Sequence, residues 1–187
     1  MRTIIGIDPG TAVLGYAIIT VLSPNELRIE SVGVVQLKKY DDHYVKLKKI
    51  FEKTTFLIET YKPDEMAIEA PFYGENVQSM LKLGRAQGVA IAAAALKDIP
   101  VQEYSPRKIK QSITGNGNAA KEQVAAMLKS MLSLDTMPTN FDATDALGVA
   151  VCHHLQNRLP IKSSGKTSQH KDWKAFIQDN PDKVKKK

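Results

Sequence analysis

Four acidic residues stand where a chain displays side chains at the edge of a fold. Asp8 ends the apolar run Ile4-Ile5-Gly6-Ile7 immediately before the turn pair Pro9-Gly10, and Glu69 ends Met66-Ala67-Ile68 immediately before Ala70-Pro71. Asp142 and Asp145, three residues apart at the start of a helical segment, project from one face within about one turn. Strand ends and a helix start can converge at one edge of a sheet. Carboxylates gathered there cannot all stay ionised in a partly buried cluster without cations, and Mg2+ or Mn2+ suits such hard oxygen ligands best. Two such ions would bridge a phosphodiester, one activating water and the other stabilising the leaving oxygen. Each acid taken singly also has a plain structural reading. Asp8 can start a turn, Asp142 cap a helix, Asp145 favour the positive end of the helix dipole, and Glu69 be an exposed strand end.

The surrounding pattern supplies the elements that would position these acids. Ile4–Asp8, Leu14–Val21 and Leu27–Leu37 read as three antiparallel strands, with Ser23-Pro24-Asn25 as a hairpin loop. In Tyr44–Tyr61 apolar residues recur mostly three and four apart, which predicts an amphipathic helix ended by Pro63. Glu65–Glu69 reads as a strand with Met66 and Ile68 on one face and Ala67 and Glu69 on the other. Asn76–Asp98 predicts a long helix with small residues, Gly84 and Gly88 among them, along one side. A short strand at Val101–Tyr104, a helix at Pro106–Ile113, a tight loop at Gly115-Asn116-Gly117, a helix at Ala119–Leu132 capped by Asn118, and a last helix at Phe141–Leu155 complete the body. The order is that of an α/β protein with a mixed sheet, three antiparallel strands then parallel ones, flanked by helices.

Composition narrows the class. The chain has 187 residues, 43% of them hydrophobic, enough for one globular domain with an ordinary core and an appended tail. Its net charge of +6 is carried by the end of the chain: residues 158–187 hold nine Lys/Arg and three Asp, which leaves 17 basic and 17 acidic residues in 1–157. The expected division is therefore a domain at 1–157 and a basic, flexible tail at 158–187, with linker composition around Ser163–Ser168. A neutral body argues poorly for nucleic-acid binding unless its clustered acids hold metal cations and leave its lysines uncompensated. The longest apolar run, Val89–Leu96, falls well short of the roughly 20 residues a membrane span needs. Met1-Arg2-Thr3 leads straight into a strand rather than a signal peptide, so no membrane association and a cytoplasmic location are expected. The single cysteine, Cys152, lies in an Ala/Val-rich stretch and reads as a small buried hydrophobe.

Taken together, Ile5-Gly6-Ile7-Asp8-Pro9-Gly10-Thr11, Gly15-Tyr16, Ala67-Ile68-Glu69, Leu81-Lys82-Leu83-Gly84, Lys121 with Val124, and Asp142-Ala143-Thr144-Asp145-Ala146-Leu147 resemble the RuvC family in order and spacing over residues 3–155. The resemblance implies a ribonuclease H-like fold. It also implies a metal-dependent endonuclease that resolves four-way (Holliday) DNA junctions by paired symmetric nicks in recombination and repair. Asp8, Glu69, Asp142 and Asp145 would then be both catalytic residues and ligands of two Mg2+ ions, with Mn2+ as a substitute. Further implied are a homodimer, RuvA and RuvB as branch-migration partners, DNA-backbone contacts at Lys110 and Lys121, and stacking of Phe72 on bases at the exchange point. The chain departs from the family pattern at Ala70-Pro71 after the glutamate, and at Arg85 and Gln87, whose order is reversed.

The residues themselves agree in part. A lysine in a helix's first turn opposes the dipole, so local stability does not explain Lys121, whereas phosphate contact does. Arg107 and Lys108 are further candidates for backbone contact. Phe72 sits in a segment that Pro71 and Gly74 keep out of regular structure, and packing as a core aromatic is its alternative. His153 and His154 are expected to complement the dipole at the C-terminus of the last helix. The helix at Asn76–Asp98 is the candidate dimer contact, against burial within one subunit. Three rival activities share some of these features. An actin-like kinase, suggested by the opening motif, needs two such domains and a second phosphate loop. A nuclease acting on RNA–DNA hybrids shares fold and chemistry. A non-catalytic DNA-binding module leaves four acids unexplained.

Overall fold

The computed structural model describes residues 1–71 and 76–158. Its strands are β1 (Arg2–Asp8), β2 (Val13–Ser23), β3 (Glu26–Gln36), β4 (Glu65–Glu69) and β5 (Val101–Tyr104). Its helices are α1 (His43–Tyr61), α2 (Val77–Ala95), α3 (Pro106–Thr114), α4 (Lys121–Met131) and α5 (Phe141–Arg158). The strands form one sheet in the order β3-β2-β1-β4-β5. The first three pair antiparallel, while β4 and β5 join parallel to β1, so the mixed sheet expected from the sequence is present.

Strand alternation divides the interior into two layers. On β1, Ile5 and Ile7 turn toward α1 and α2, and Ile4 turns toward α5; Met66, Ile68 and Ala67 of β4 divide the same way. The α1 layer is closed by Ile50, Thr54, Leu57 and Ile58, so a threonine fills the gap that the apolar pattern leaves between Phe51 and Leu57, and Phe51 is left at the surface. The other layer gathers Ile109 and Ile113 of α3, Val124 and Leu128 of α4 and the Ala-rich face of α5.

Helix ends follow their local chemistry. Asp42 accepts a 2.8 Å hydrogen bond from Val45 N at the start of α1, and Lys62, with φ 46°, ends it ahead of Pro63. Asn76 and Ser105 cap α2 and α3 in the same manner. α2 stops at Ala95, short of the expected Asp98, which adopts φ 55° in the turn that follows. Asn118 does not cap α4. Its N–H donates to Asn116 Oδ1 within the loop, and α4 starts at Lys121 after Ala120, whose N–H is taken by the Gln123 side chain at 2.9 Å. Cys152 is buried as expected and donates to Ser112 Oγ at 3.3 Å.

The two histidines depart from expectation. α5 continues to Arg158, so neither lies in its last turn, and both are buried. His153 bridges the Tyr104 hydroxyl, 2.8 Å from Nδ1, and the Glu65 carboxylate, which ties β4, β5 and α5 together. His154 Nε2 donates to the Pro24 carbonyl at 3.0 Å and anchors the β2–β3 turn. Buried imidazoles need such partners, and a solvent-facing dipole contact would not bury them.

The buried face of α2 is Ala86, Gln87, Ala90, Ala93 and Ala94. Gly84 and Gly88 instead face open space, and Val77 and Leu81 on the same side are exposed. The small-residue helix is therefore core on its alanine side and open on its glycine side. Among the described residues, no helix is long and apolar enough to cross a membrane. Apart from Arg158, the expected basic tail lies outside the described residues.

Candidate active site

β1 and β4 run parallel with Ile7 beside Ile68, so their last residues, Asp8 and Glu69, follow side by side. The alternation that sends Ile4 and Ala67 toward α5 sends both carboxylates there too. Two glycines bring α5 down to meet them. A Cβ on Gly15 would stand 1.9 Å from the Asp142 carbonyl oxygen, and one on Gly6 would stand 2.4 Å from that of Ala146. No side chain fits at either position. The first turns of α5 thus rest on bare strand backbone, which sets Asp142 and Asp145 over the ends of β1 and β4.

Asn140 starts α5, its Oδ1 accepting from Asp142 N at 3.0 Å. That removes helix capping as the reason for an acid at 142. Electrostatics argues against the plain readings of Asp8 and Glu69. Asp8 is pushed from 3.8 up to about 7, by burial first and then by the charges of Asp145 and Asp142, against Lys121. Glu69 is pushed from 4.5 to about 8, by burial and then by Asp8 and Asp145, against Lys121 and Lys110. An exposed strand end or a simple turn residue would feel none of this. Among the described residues no three His, Cys, Asp or Glu side chains stand close enough together to hold a metal ion. Like charges repel, and Lys121 draws Asp145 to itself, with Nζ 2.6 Å from Oδ2.

The acids open onto two adjoining cavities. One, of about 260 Å³, is lined by Asp8, Pro9, Gly10, Glu69, Leu83 and Asp142, among others. A smaller one of about 90 Å³ has Glu69, Lys110, Lys121 and Asp145 in its wall. Lys110 and Lys121 therefore stand with the four acids. Arg107 and Lys108 are exposed on α3 and line neither cavity. Phe72 lies outside the described residues.

Sequence reasoning missed two neighbours. Phe141, half-exposed at the start of α5, presents its ring 6.0 Å from Lys121 Nζ, within cation–π reach. An aromatic four residues before Asp145, on the same helix face, was the available signal. Gln87 of α2 reaches the Glu69 backbone, and nothing in its sequence surroundings announces that contact.

A five-stranded sheet ordered β3-β2-β1-β4-β5, helices on both faces, and acids at the ends of its first and fourth strands define the ribonuclease H-like class. The family model described as crossover junction endodeoxyribonuclease RuvC matches residues 4–153. This chain belongs to the RuvC family. It is 59% identical to the crossover junction endodeoxyribonuclease RuvC of Cytophaga hutchinsonii, over 98% of this chain and 88% of that protein. To that of Porphyromonas gingivalis it is 55% identical, over 98% and 97%. Among solved structures, T. thermophilus RuvC in complex with Holliday junction substrate superposes with a TM-score of 0.79 at 29% identity, over 84% of this chain and 96% of the other. The yeast mitochondrial Holliday junction resolvase Ydc2 shares the fold at a TM-score of 0.59 and 12% identity, over 82% of each chain.

Proposed function

We propose that this chain is an endodeoxyribonuclease that resolves four-way DNA junctions by hydrolysing one phosphodiester in each of two strands. The convergence of Asp8, Glu69, Asp142 and Asp145 at one sheet edge carries this reading, and family membership supplies the substrate. The Asp8 and Glu69 carboxyls, raised by burial and then by neighbouring carboxylate charge, with lysine as the nearby compensation, fit a site made for divalent cations. Asp8, Glu69, Asp142 and Asp145 would hold two Mg2+ ions. When bound, such a pair supplies an activated water and stabilises the leaving oxygen. Lys110 and Lys121 take the phosphates flanking the cut, Lys121 releasing Asp145 as DNA arrives, and Phe72 stacks on a base at the exchange point. Arg107 and Lys108 extend the basic surface outside the cavities.

A junction offers two equivalent strands, so a two-fold dimer matches its symmetry. The open face of α2, with Val77, Leu81, Gly84 and Gly88, is the surface assigned to that contact. RuvA and RuvB are the expected partners in branch migration. The cytoplasm is the expected location, and the basic tail adds sequence-independent DNA affinity. The test supplies Mg2+ and equal amounts of labelled junction, linear duplex and RNA–DNA hybrid. Paired nicks in the junction are expected, and preferential nicking of the hybrid overturns the choice of substrate.

A further inference from the structure

The buried face of α2 is a row of alanines interrupted by one long polar side chain. Gln87 is 7% exposed, and a primary amide placed there costs free energy unless its protons are taken. Its Nε2 donates to Glu103 Oε2 at 2.7 Å and makes a longer 3.4 Å contact with the Glu69 carbonyl oxygen. The two acceptors belong to neighbouring strands, since Ile68 pairs with Glu103 and Glu69 with Tyr104. One amide group thus ties α2 to β5 and to the last residue of β4.

Glu69 is where β4 ends, and the peptide unit after it is held from two sides. Ala70 N donates to the Tyr104 carbonyl at 2.8 Å, while the Glu69 carbonyl faces Gln87. Those contacts hold the backbone of the residue whose carboxylate the strand alternation already turns toward α5 and away from the α2 layer. Packing alone does not call for a glutamine, because Ala86, Ala90 and Ala94 cover the same surface without polar atoms. We infer that Gln87 is a positioning residue: its amide sets the backbone on which Glu69 presents its carboxylate, and so couples the position of α2 to the catalytic centre. The inference rests on the reading of Glu69 as a metal ligand.

Three variants separate positioning from packing. Gln87→Leu fills the site with apolar bulk and loses both N–H donors. Gln87→Arg restores N–H groups toward both acceptors. The pair Gln87→Glu with Glu103→Gln rebuilds the α2–β5 hydrogen bond with the donor on the strand, and leaves the Glu69 carbonyl without its amide. For each full-length protein, junction affinity in EDTA, kcat and KM with Mg2+, and the rise of Tm on Mg2+ titration are measured beside Glu69→Gln. A misplacement approaching 1 Å at a catalytic group costs up to about a hundredfold. Gln87→Leu and the double variant should therefore lose roughly ten- to a hundredfold in kcat. Their KM and EDTA affinity should stay near those of the natural chain, and their Tm rise should move to higher Mg2+. Gln87→Arg should recover most of the loss. Natural kcat and Mg2+ response in a folded Gln87→Leu, or in the double variant if the leucine protein does not fold, overturns the positioning role while Glu69→Gln remains inactive. An active Glu69→Gln overturns the reading of the site itself, and the inference with it.

Discussion

Replacing Asp8 by asparagine should make the metal-free protein more stable while removing its activity. In the folded chain the Asp8 carboxyl sits at about 7 instead of 3.8. A carboxyl whose folded value is raised binds its proton more tightly folded than unfolded, so stability is lost as pH rises between those two values. Each tenfold change in proton affinity is about 1.36 kcal/mol, which puts the loss completed by pH 8 on the order of 4 kcal/mol. Glu69, raised to about 8 in part by the Asp8 charge, relaxes in the variant and shifts the balance further the same way. Asparagine keeps the shape without the charge but must place an amide, so a net gain of about 2–4 kcal/mol is expected at alkaline pH. For a domain of this size that corresponds to a Tm on the order of 10 °C higher in EDTA. The gain should be small near pH 4, grow through pH 7 and then level off. Saturating Mg2+ should reverse the order, because binding stabilises the natural chain by mass action and the variant much less. Junction cleavage should fall by orders of magnitude, while junction affinity in EDTA holds or rises slightly. Thermal melts across pH with and without EDTA provide the check. A variant no more stable than the natural chain at pH 8, or one whose gain is the same at pH 4, would refute the placement of Asp8 in a buried acidic cluster.

Lys121→Ala removes both the partner of Asp145 and a phosphate contact, so the salt slope of junction binding should flatten by about one, as read by anisotropy titrations in EDTA. Gly15→Ala puts a methyl into the Asp142 carbonyl; about 3 kcal/mol or more of stability and most cleavage should be lost, and urea denaturation showing less than about 1 kcal/mol would contradict the close approach of α5. Gly88→Glu meets open space on α2, so stability should stay within about 0.5 kcal/mol while the proposed self-association weakens; unchanged sedimentation would count against α2 as the proposed dimer contact.

The strands and helices were legible because each is written in local terms. Period-two alternation marks β4 down to which residues face which layer, and Pro63, Pro106 and Gly115 mark helix boundaries that the structure keeps. The four acids were legible as strand-end and helix-start residues, but what gathers them was not. Gly6 and Gly15 read as ordinary strand glycines until α5 is seen lying on them, since the requirement comes from a helix more than a hundred residues away in sequence. The same holds for His153, which looks like a dipole partner until Tyr104 and Glu65 are found around it. Asn118 illustrates a local signal overruled: its own loop takes it up first, and Gln123 reaches back to do the work at the helix start.

The seating of α5 on bare strand backbone has a mechanical consequence. Two of the acids ride on that helix and two on the strands beneath it, so moving one pair relative to the other means prising apart a joint that leaves no room for a side chain. A joint built this way resists sliding of the helix over the strands, so the two pairs of acids keep their relative placement from one DNA to the next. Under the proposed function the nucleic acid must then be the compliant partner. A continuous duplex resists being bent onto a fixed surface, whereas a branch point interrupts the helices and lets its arms reorient at smaller cost. Discrimination between the two would arise from the stiffness of the enzyme set against the softness of its substrate.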